Sequence, residues 1–286
     1  MEYPAPVAAD WPDLLEIVER KVRGTRAAHS TAGWWQFERY RGELYAFIKG
    51  LERVLVIARV GQHGLFSFLS PDRVYAETLV VMAFQVSGAM ALLQSRVHEV
   101  WALFFASSLE ERLRYGPSDC FETFPFPPGW ESDPQLEEAG RTYYEFRAAL
   151  MIRNQEGLTK TYNRFHDPDE ASPEILKLRE LHAAMDRAVL DAYGWTDIPT
   201  DCDFLLDWED EEEEGTSSRR KKPWRLRGPD AVRDEVLARL LALNAERAAA
   251  EEREGVVAEA REKYQTKRAG RPRKVPASAQ GQFDLG

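Results

Sequence analysis

At 286 residues and 44% apolar, the chain can bury a real core in one large or two modest domains, and no apolar run approaches the roughly 18 residues of a membrane span. Its two cysteines, Cys120 and Cys202, lie far apart, which argues against a disulfide framework or a zinc site and fits a reducing cytoplasm; the start, Met1-Glu2-Tyr3-Pro4, lacks the basic and apolar segments of a signal peptide. A net charge of −10 rules out attraction to nucleic acid by bulk charge, although affinity for phosphates follows local positive surface rather than the total.

In chain order, Asp10 and Pro12 suit the start of a helix, and Leu14, Leu15, Ile17, Val18 and Val22 recur at its period. Trp34-Trp35-Gln36-Phe37 follows, then a short helical run from Glu43 to Lys49. The β-branched run Val54 to Val60 predicts a buried strand, Gly61-Gln62-His63-Gly64 a turn, and Leu65 to Leu69 the returning strand. Thr78 to Phe84 fits a third strand or a short helix. Ser87 to Phe105 predicts one helix with Met90, Leu93, Val97, Val100, Trp101 and Phe104 on one side. After the Pro-rich segment Phe124 to Pro128, a helical region starts near Pro134. Its second helix is capped at Ser172, has Pro173 in its first turn and ends at Gly194. The charge density of 207–222 predicts a linker, Pro229-Asp230 opens a further helix, and the chain from about Lys267 reads as unstructured.

These elements predict an α+β protein. A mixed domain with a small β-sheet and flanking helices occupies 1–130, a helical region 131–206, a charged linker 207–228, a helix 229–265 and a disordered basic tail 266–286.

Several blocks, in order, resemble one family. They are Trp34–Phe37, Arg53–Val60, Gln94–Trp101 with Pro117–Pro127, Leu158–Pro168, Leu178–Asp186 running to Tyr193-Gly194-Trp195, and Arg233–Asn244. The family is the C-terminal target-recognition region of type IIG-like adenine-specific DNA methyltransferases, found in restriction–modification and phage-exclusion systems. The resemblance implies that 1–130 is a DNA target-recognition domain and that double-stranded DNA is the partner. It also implies that S-adenosylmethionine belongs to a catalytic domain outside this chain.

The catalytic signatures are missing from the sequence. The adenine pocket of such enzymes uses an Asn/Asp-Pro-Pro-Tyr/Phe loop, whereas Phe126-Pro127-Pro128-Gly129 has neither the acceptor nor the aromatic in place. Gly61-Gln62-His63-Gly64 is too short for a cofactor loop and leads into a strand. Asp169, Glu174 and Lys177 lack the spacing of a magnesium nuclease. No catalytic, cofactor-binding or metal-binding residue is therefore assigned. The chain is expected to be a detached, split or truncated reading subunit. It acts alone in binding, or completes a methyltransferase whose catalytic half is separately encoded, or is a protein-interaction remnant without a DNA role.

A recognition domain needs major-groove donors and acceptors on rigid elements, surrounded by phosphate contacts. The candidates are Gln36, Arg39, Arg41, Arg59, His63, Arg73, Asn163, Arg164, His166, Arg271 and Arg273. Arg59 and His63 sit at a strand end and turn, and read also as a solvated hairpin end. Gln36, Arg39 and Arg41 follow the Trp pair, which reads as core or as a stacking wall. Arg73 reads also as ordinary surface charge. Asn163, Arg164 and His166 form a polar cluster that suits phosphate clamping or turn and cap duties. Arg96 and His98, inside an apolar helix, read as packed and hydrogen-bonded. Gly270-Arg271-Pro272-Arg273-Lys274 resembles the core of an AT-hook, whose arginines line a narrow minor groove, and reads also as a generic basic tail.

Overall fold

The computed structural model describes residues 8–25, 41–106, 113–206, 224–253 and 255. The Trp34–Phe37 block with Gln36 and Arg39, the charged run from 207 to 222, and the basic tail with Arg271 and Arg273 lie outside the described residues. The chain divides into two units, Met1–Glu52 and Arg53–Gly286. In the first, α1 (Pro12–Val22) begins with Pro12 in its first turn, and α2 (Gly42–Ile48) follows Arg41.

The second unit is built on a three-stranded antiparallel sheet. Strand β1 (Val54–Ala58) buries its first four residues, as its apolar run predicts. It is followed by the two-residue β2 (Val60–Gly61) and then by β3 (Phe66–Leu69) and β4 (Leu79–Met82). The central strand, β1, pairs Val54 with Leu69 of β3 and Leu55 with Met82 of β4. The turn and returning strand thus form where expected, and the ambiguous Thr78–Phe84 run is extended.

The helix expected over Ser87–Phe105 is two helices, α3 (Ser87–Gln94) and α4 (Arg96–Phe105). The break lies at Ser95, whose extended backbone (ψ 157°) ends one helix while its Oγ accepts from His98 N to cap the next. Strand β5 (Leu113–Arg114) pairs with β2. Beyond it come α5 (Pro134–Asn154), α6 (Leu158–Phe165) and α7 (Pro173–Ala192). Asp133 caps α5 by accepting from Gln135 N and Leu136 N. Strands β6 (Asp203–Leu206) and β7 (Trp224–Arg227) pair across the charged run, and α8 (Asp230–Arg253) closes the described fold. That pairing was not expected, because its two halves flank 17 intervening positions that read as linker.

Every residue of α3 is buried, so it is the core's central helix and contacts α5 closely. Gly140 of α5 makes the approach possible: a Cβ there would sit 2.0 Å from the Ser87 carbonyl oxygen. Next to it, Glu137 of α5 accepts from Gly88 N at 2.8 Å, satisfying a free donor at the α3 N-terminus. Strand β3 is an edge strand, and side chains close its outer side. Gln94 Oε1 accepts from Phe66 N (3.0 Å), Arg147 donates to Phe66 O (2.6 Å), and Tyr144 Oη donates to Phe68 O (3.3 Å). Arg147 is only 1% exposed, and it also donates to Gln94 Oε1 and Tyr162 Oη. The Gly61–Gly64 turn is tied to the same core, since Gln94 Nε2 donates to Gly64 O at 3.2 Å.

His98 of α4 is buried beside Phe66 and Phe124, with Nε2 hydrogen-bonded to Tyr115 Oη at 2.9 Å. Its Nδ1 has no partner among the described residues. A lone acceptor costs less there than an orphaned donor, so the neutral Nε2–H tautomer fits the site. Burial pushes its pKa down to about 3.

Two outcomes follow. Gly140→Ala gains helix propensity but must part α3 from α5, and should lower unfolding free energy by about 2 kcal/mol in urea titration. His98 is harder to protonate folded than unfolded, so its stabilising share is complete above about pH 6.5 and is lost as pH falls toward 3. The loss reaches about 2 kcal/mol at pH 5. His98→Gln, which cannot titrate, should flatten the fall in stability between pH 7 and pH 5.

Candidate nucleic-acid interface

The turn after β2 is where the candidate residues converge. Gly64 keeps it close to β5, because a Cβ at that position would lie 2.9 Å from Leu113 Cδ2. His63 at the turn donates from Nε2 to Asn163 Oδ1 on α6 (2.9 Å), which leaves Nδ1 to accept from Arg225 Nη1 of β7 (2.5 Å). Arg225 Nη2 donates to Gln62 O at 3.1 Å. His63 also stacks on His166, with ring centroids 5.2 Å apart and planes 17° from parallel. His63, Asn163 and His166, far apart in sequence, thus form one cluster.

Helix α6 buries Thr161, Tyr162 and Phe165 and leaves Asn163 exposed. With Oδ1 occupied by His63, the orientation of the Asn163 amide is set and its Nδ2 donors point elsewhere. Gln62, exposed at the turn, supplies a second amide nearby. Arg59, at the end of β1, is exposed and donates from Nε to Glu77 O (2.6 Å), which leaves its terminal nitrogens for other acceptors. Arg114 of β5 is exposed and registers with Val60, one residue beyond Arg59. The turn, the strand ends beside it and the facing α6 therefore carry two arginines and two amides, with donor capacity for phosphates or base edges.

Other candidates are engaged or lie elsewhere. Arg164 points away from the turn into a carboxylate pocket, where it pairs with Glu170 (2.7 Å) and Glu156 (3.1 Å) and donates to Ser172 Oγ (3.0 Å). Its hydrogen bond holds the Glu170 carboxyl down at about 2, so the charge is spent within the fold. His166 is mostly buried, and its Nδ1 accepts from Leu226 N at 3.1 Å. Burial, followed by Arg225 and His63, holds it well below the ordinary imidazole range. Arg73 is exposed in the loop between β3 and β4. Arg41 is exposed in the first unit, where its carbonyl accepts from Tyr45 N to begin α2.

Arg225, Arg96 and Asp186 were not among the sequence candidates for the site. Arg96 Nη1 pairs with Asp186 Oδ2 at 2.5 Å, Arg96 N donates to Asp186 Oδ1 at 2.9 Å, and His182 Nδ1 lies 3.2 Å from Asp186 Oδ2. Burial pushes the Asp186 carboxyl up, but His182 and Arg96 outweigh it and hold the group at about 2. The rest of the Arg96 guanidinium donates to Leu226 O, from Nε at 3.4 Å and Nη2 at 3.3 Å. A signal for Arg225 existed: Trp224-Arg225-Leu226-Arg227 alternates polar with apolar, the pattern of a half-buried strand.

Among the described residues no group of three or more His, Cys, Asp or Glu is placed to hold a metal ion, and no helix is long and apolar enough to cross a membrane.

Comparison with known proteins bears on the segment that contains the turn. Residues 62–128 match the family model described as MmeI, target recognition domain. No curated protein matches the chain. The fold is similar to that in the structure of the type IIL restriction-modification enzyme MmeI in complex with DNA, with a TM-score of 0.53 and 17% identity over 83% of this chain. The chain spans about a quarter (26%) of that enzyme's length. From the turn after β2 to the end of the Pro-rich segment, this polypeptide is thus similar in sequence to the MmeI target recognition domain, set in a fold similar to part of a restriction-modification enzyme.

Proposed function

We propose that this chain is the duplex-reading part of a restriction–modification enzyme, and that it does no chemistry by itself. The observation that carries the reading is the match of residues 62–128 to a target recognition domain. The geometry adds a physical reason: Arg59, Arg114, Gln62 and Asn163 lie about one turn whose shape is secured by hydrogen bonds from α3, α6 and β7. In this reading the arginines meet phosphates and the two amides meet base edges. The target base for modification is adenine, as the family resemblance implies, and methyl transfer from S-adenosylmethionine belongs to a catalytic portion that this sequence lacks. The system would act in the cytoplasm against foreign DNA.

A second reading makes the chain a specificity subunit that completes an active methyltransferase together with a separate catalytic chain. It rests on the same match of residues 62–128 to a target recognition domain, with the family's catalytic signatures missing from this sequence. Methylation of duplex DNA only when both chains are mixed with S-adenosylmethionine would establish it.

Gel-shift titration of the chain, alone and with a catalytic partner, against random and selected duplexes tests the first reading. Arg59→Ala should weaken binding to both pools alike and reduce the slope of log affinity against log salt by about 1. Asn163→Ala should instead shrink the preference for the selected pool, by about 1–3 kcal/mol. Absence of salt-sensitive duplex binding in either format overturns the reading. An unchanged Arg59→Ala variant would favour a protein-interaction role without DNA.

A further inference from the structure

Strand β7 meets the recognition turn through two imidazoles, and each uses Nδ1 as an acceptor. His166 Nδ1 takes the Leu226 N–H at 3.1 Å, and His63 Nδ1 takes Arg225 Nη1 at 2.5 Å. The His63 tautomer is set by its other nitrogen, which donates to Asn163 Oδ1. The two rings lie face to face, with 5.2 Å between centroids.

We propose that His63 and His166 form a proton-sensitive latch: they hold β7 against the Gly61–Gly64 turn while both rings are neutral and release it when either is protonated. The latch rests on the DNA-recognition reading only in what it regulates, namely the shape of the turn that presents Gln62 and Asn163.

The chemistry is one of sign. A proton on Nδ1 turns an acceptor into a donor, and at each histidine the group opposite is already a donor, a backbone N–H or a guanidinium. Among the described residues, the charged groups that face His166 do not soften the conflict. His166 faces His63 from the turn, Arg225 from β7, Arg96 from α4 and His182 from α7, with the Tyr162 and Phe165 rings from its own helix. His63 faces Arg225, His166, the Asn163 amide and the Tyr162 ring. Asp186, the carboxylate beside Arg96 and His182, is already engaged by both. Burial and these cations keep His166 neutral well below the pH at which a free imidazole titrates. The attachment is therefore complete above about pH 6.5 and weakens as pH falls below it.

Hydrogen exchange of the whole chain without DNA, at pH 7.5 and pH 5.0 and corrected for the intrinsic effect of pH on exchange, reads the latch directly. The amides of Trp224 to Arg227 should lose protection at pH 5.0, by about 30-fold as His166 takes up its proton. Those of Leu92 and Leu93 in α3 should report only global opening. His166→Asn keeps an oxygen acceptor near the Nδ1 position and cannot titrate, so it should retain protection at pH 7.5 and show a pH response about 30-fold smaller. His166→Leu should expose β7 at both pH values while α3 stays protected. An equal pH response in wild type and His166→Asn overturns the latch, as does loss of protection that is uniform across β7 and α3 or absent altogether. The readout contains no DNA, so a chain that shows the latch yet binds no duplex would remove the recognition reading alone.

Discussion

The hydrogen bonds at Leu226 are the constraint on which the candidate site depends. A strand in a two-stranded ribbon has one side open, and Leu226 turns both of its backbone groups to that side. His166 accepts from the nitrogen, and Arg96 donates to the oxygen. Each of these side chains is itself committed, Arg96 to Asp186 at the α4–α7 contact and His166 to the stack on His63. A short ribbon with little core of its own is thereby joined to the helical body through polar contacts that must all be satisfied together. Such partly buried networks are specific because a half-made version costs more than none. The turn that presents Gln62 inherits its position from this network, through Arg225 and the Gln62 carbonyl.

The same economy governs the sheet. Three strands are too few to bury both edges, and the side of β3 that lacks a neighbour is closed by Gln94, Arg147 and Tyr144 instead of by another strand. Arg147 brings a cation into the core without a carboxylate partner among its hydrogen bonds. It is tolerable there because carbonyl and hydroxyl oxygens take its donors and the faces of Tyr143 and Tyr144 lie within 5.5 Å of its guanidinium carbon. Close helix contact at Gly140 then places α5 near enough to α3 for these long side chains to reach the strand.

Much of this fold was legible in the sequence where one local cause dominates. The Val54 run, the Gly61–Gly64 turn, Pro173 in the first turn of α7 and the Gly194 stop each act through nearby residues, and each element forms where those residues place it. Ser172 at the α7 start, however, makes no side-chain cap bond and accepts from Arg164 instead. The break at Ser95 was hidden because the apolar period continues across it, and only the Ser95 cap decides the outcome. Strands β6 and β7 were hidden for another reason: the alternation at Trp224–Arg227 is only four residues long, and its partner strand lies across a charged stretch. For the site, residue type was informative and partner was not. His63, Asn163 and His166 converge, whereas Arg164, of the same short block, is turned inward by two glutamates that no spacing rule connects to it. The family resemblance supplied the segment that matters, and the contacts supplied the reason Arg225 belongs with it.

Leu206 and Trp224 face each other across the β6–β7 ribbon. A chain that leaves and returns at neighbouring backbone positions is insulated from whatever is spliced between them. Closure entropy grows only by about 0.6 kcal/mol for each doubling of such an excursion. The ribbon thus brings the two ends of that excursion together in backbone register, at the strand whose Arg225 reaches the turn. Length can therefore vary between Leu206 and Trp224 at a small entropic cost to the paired stem.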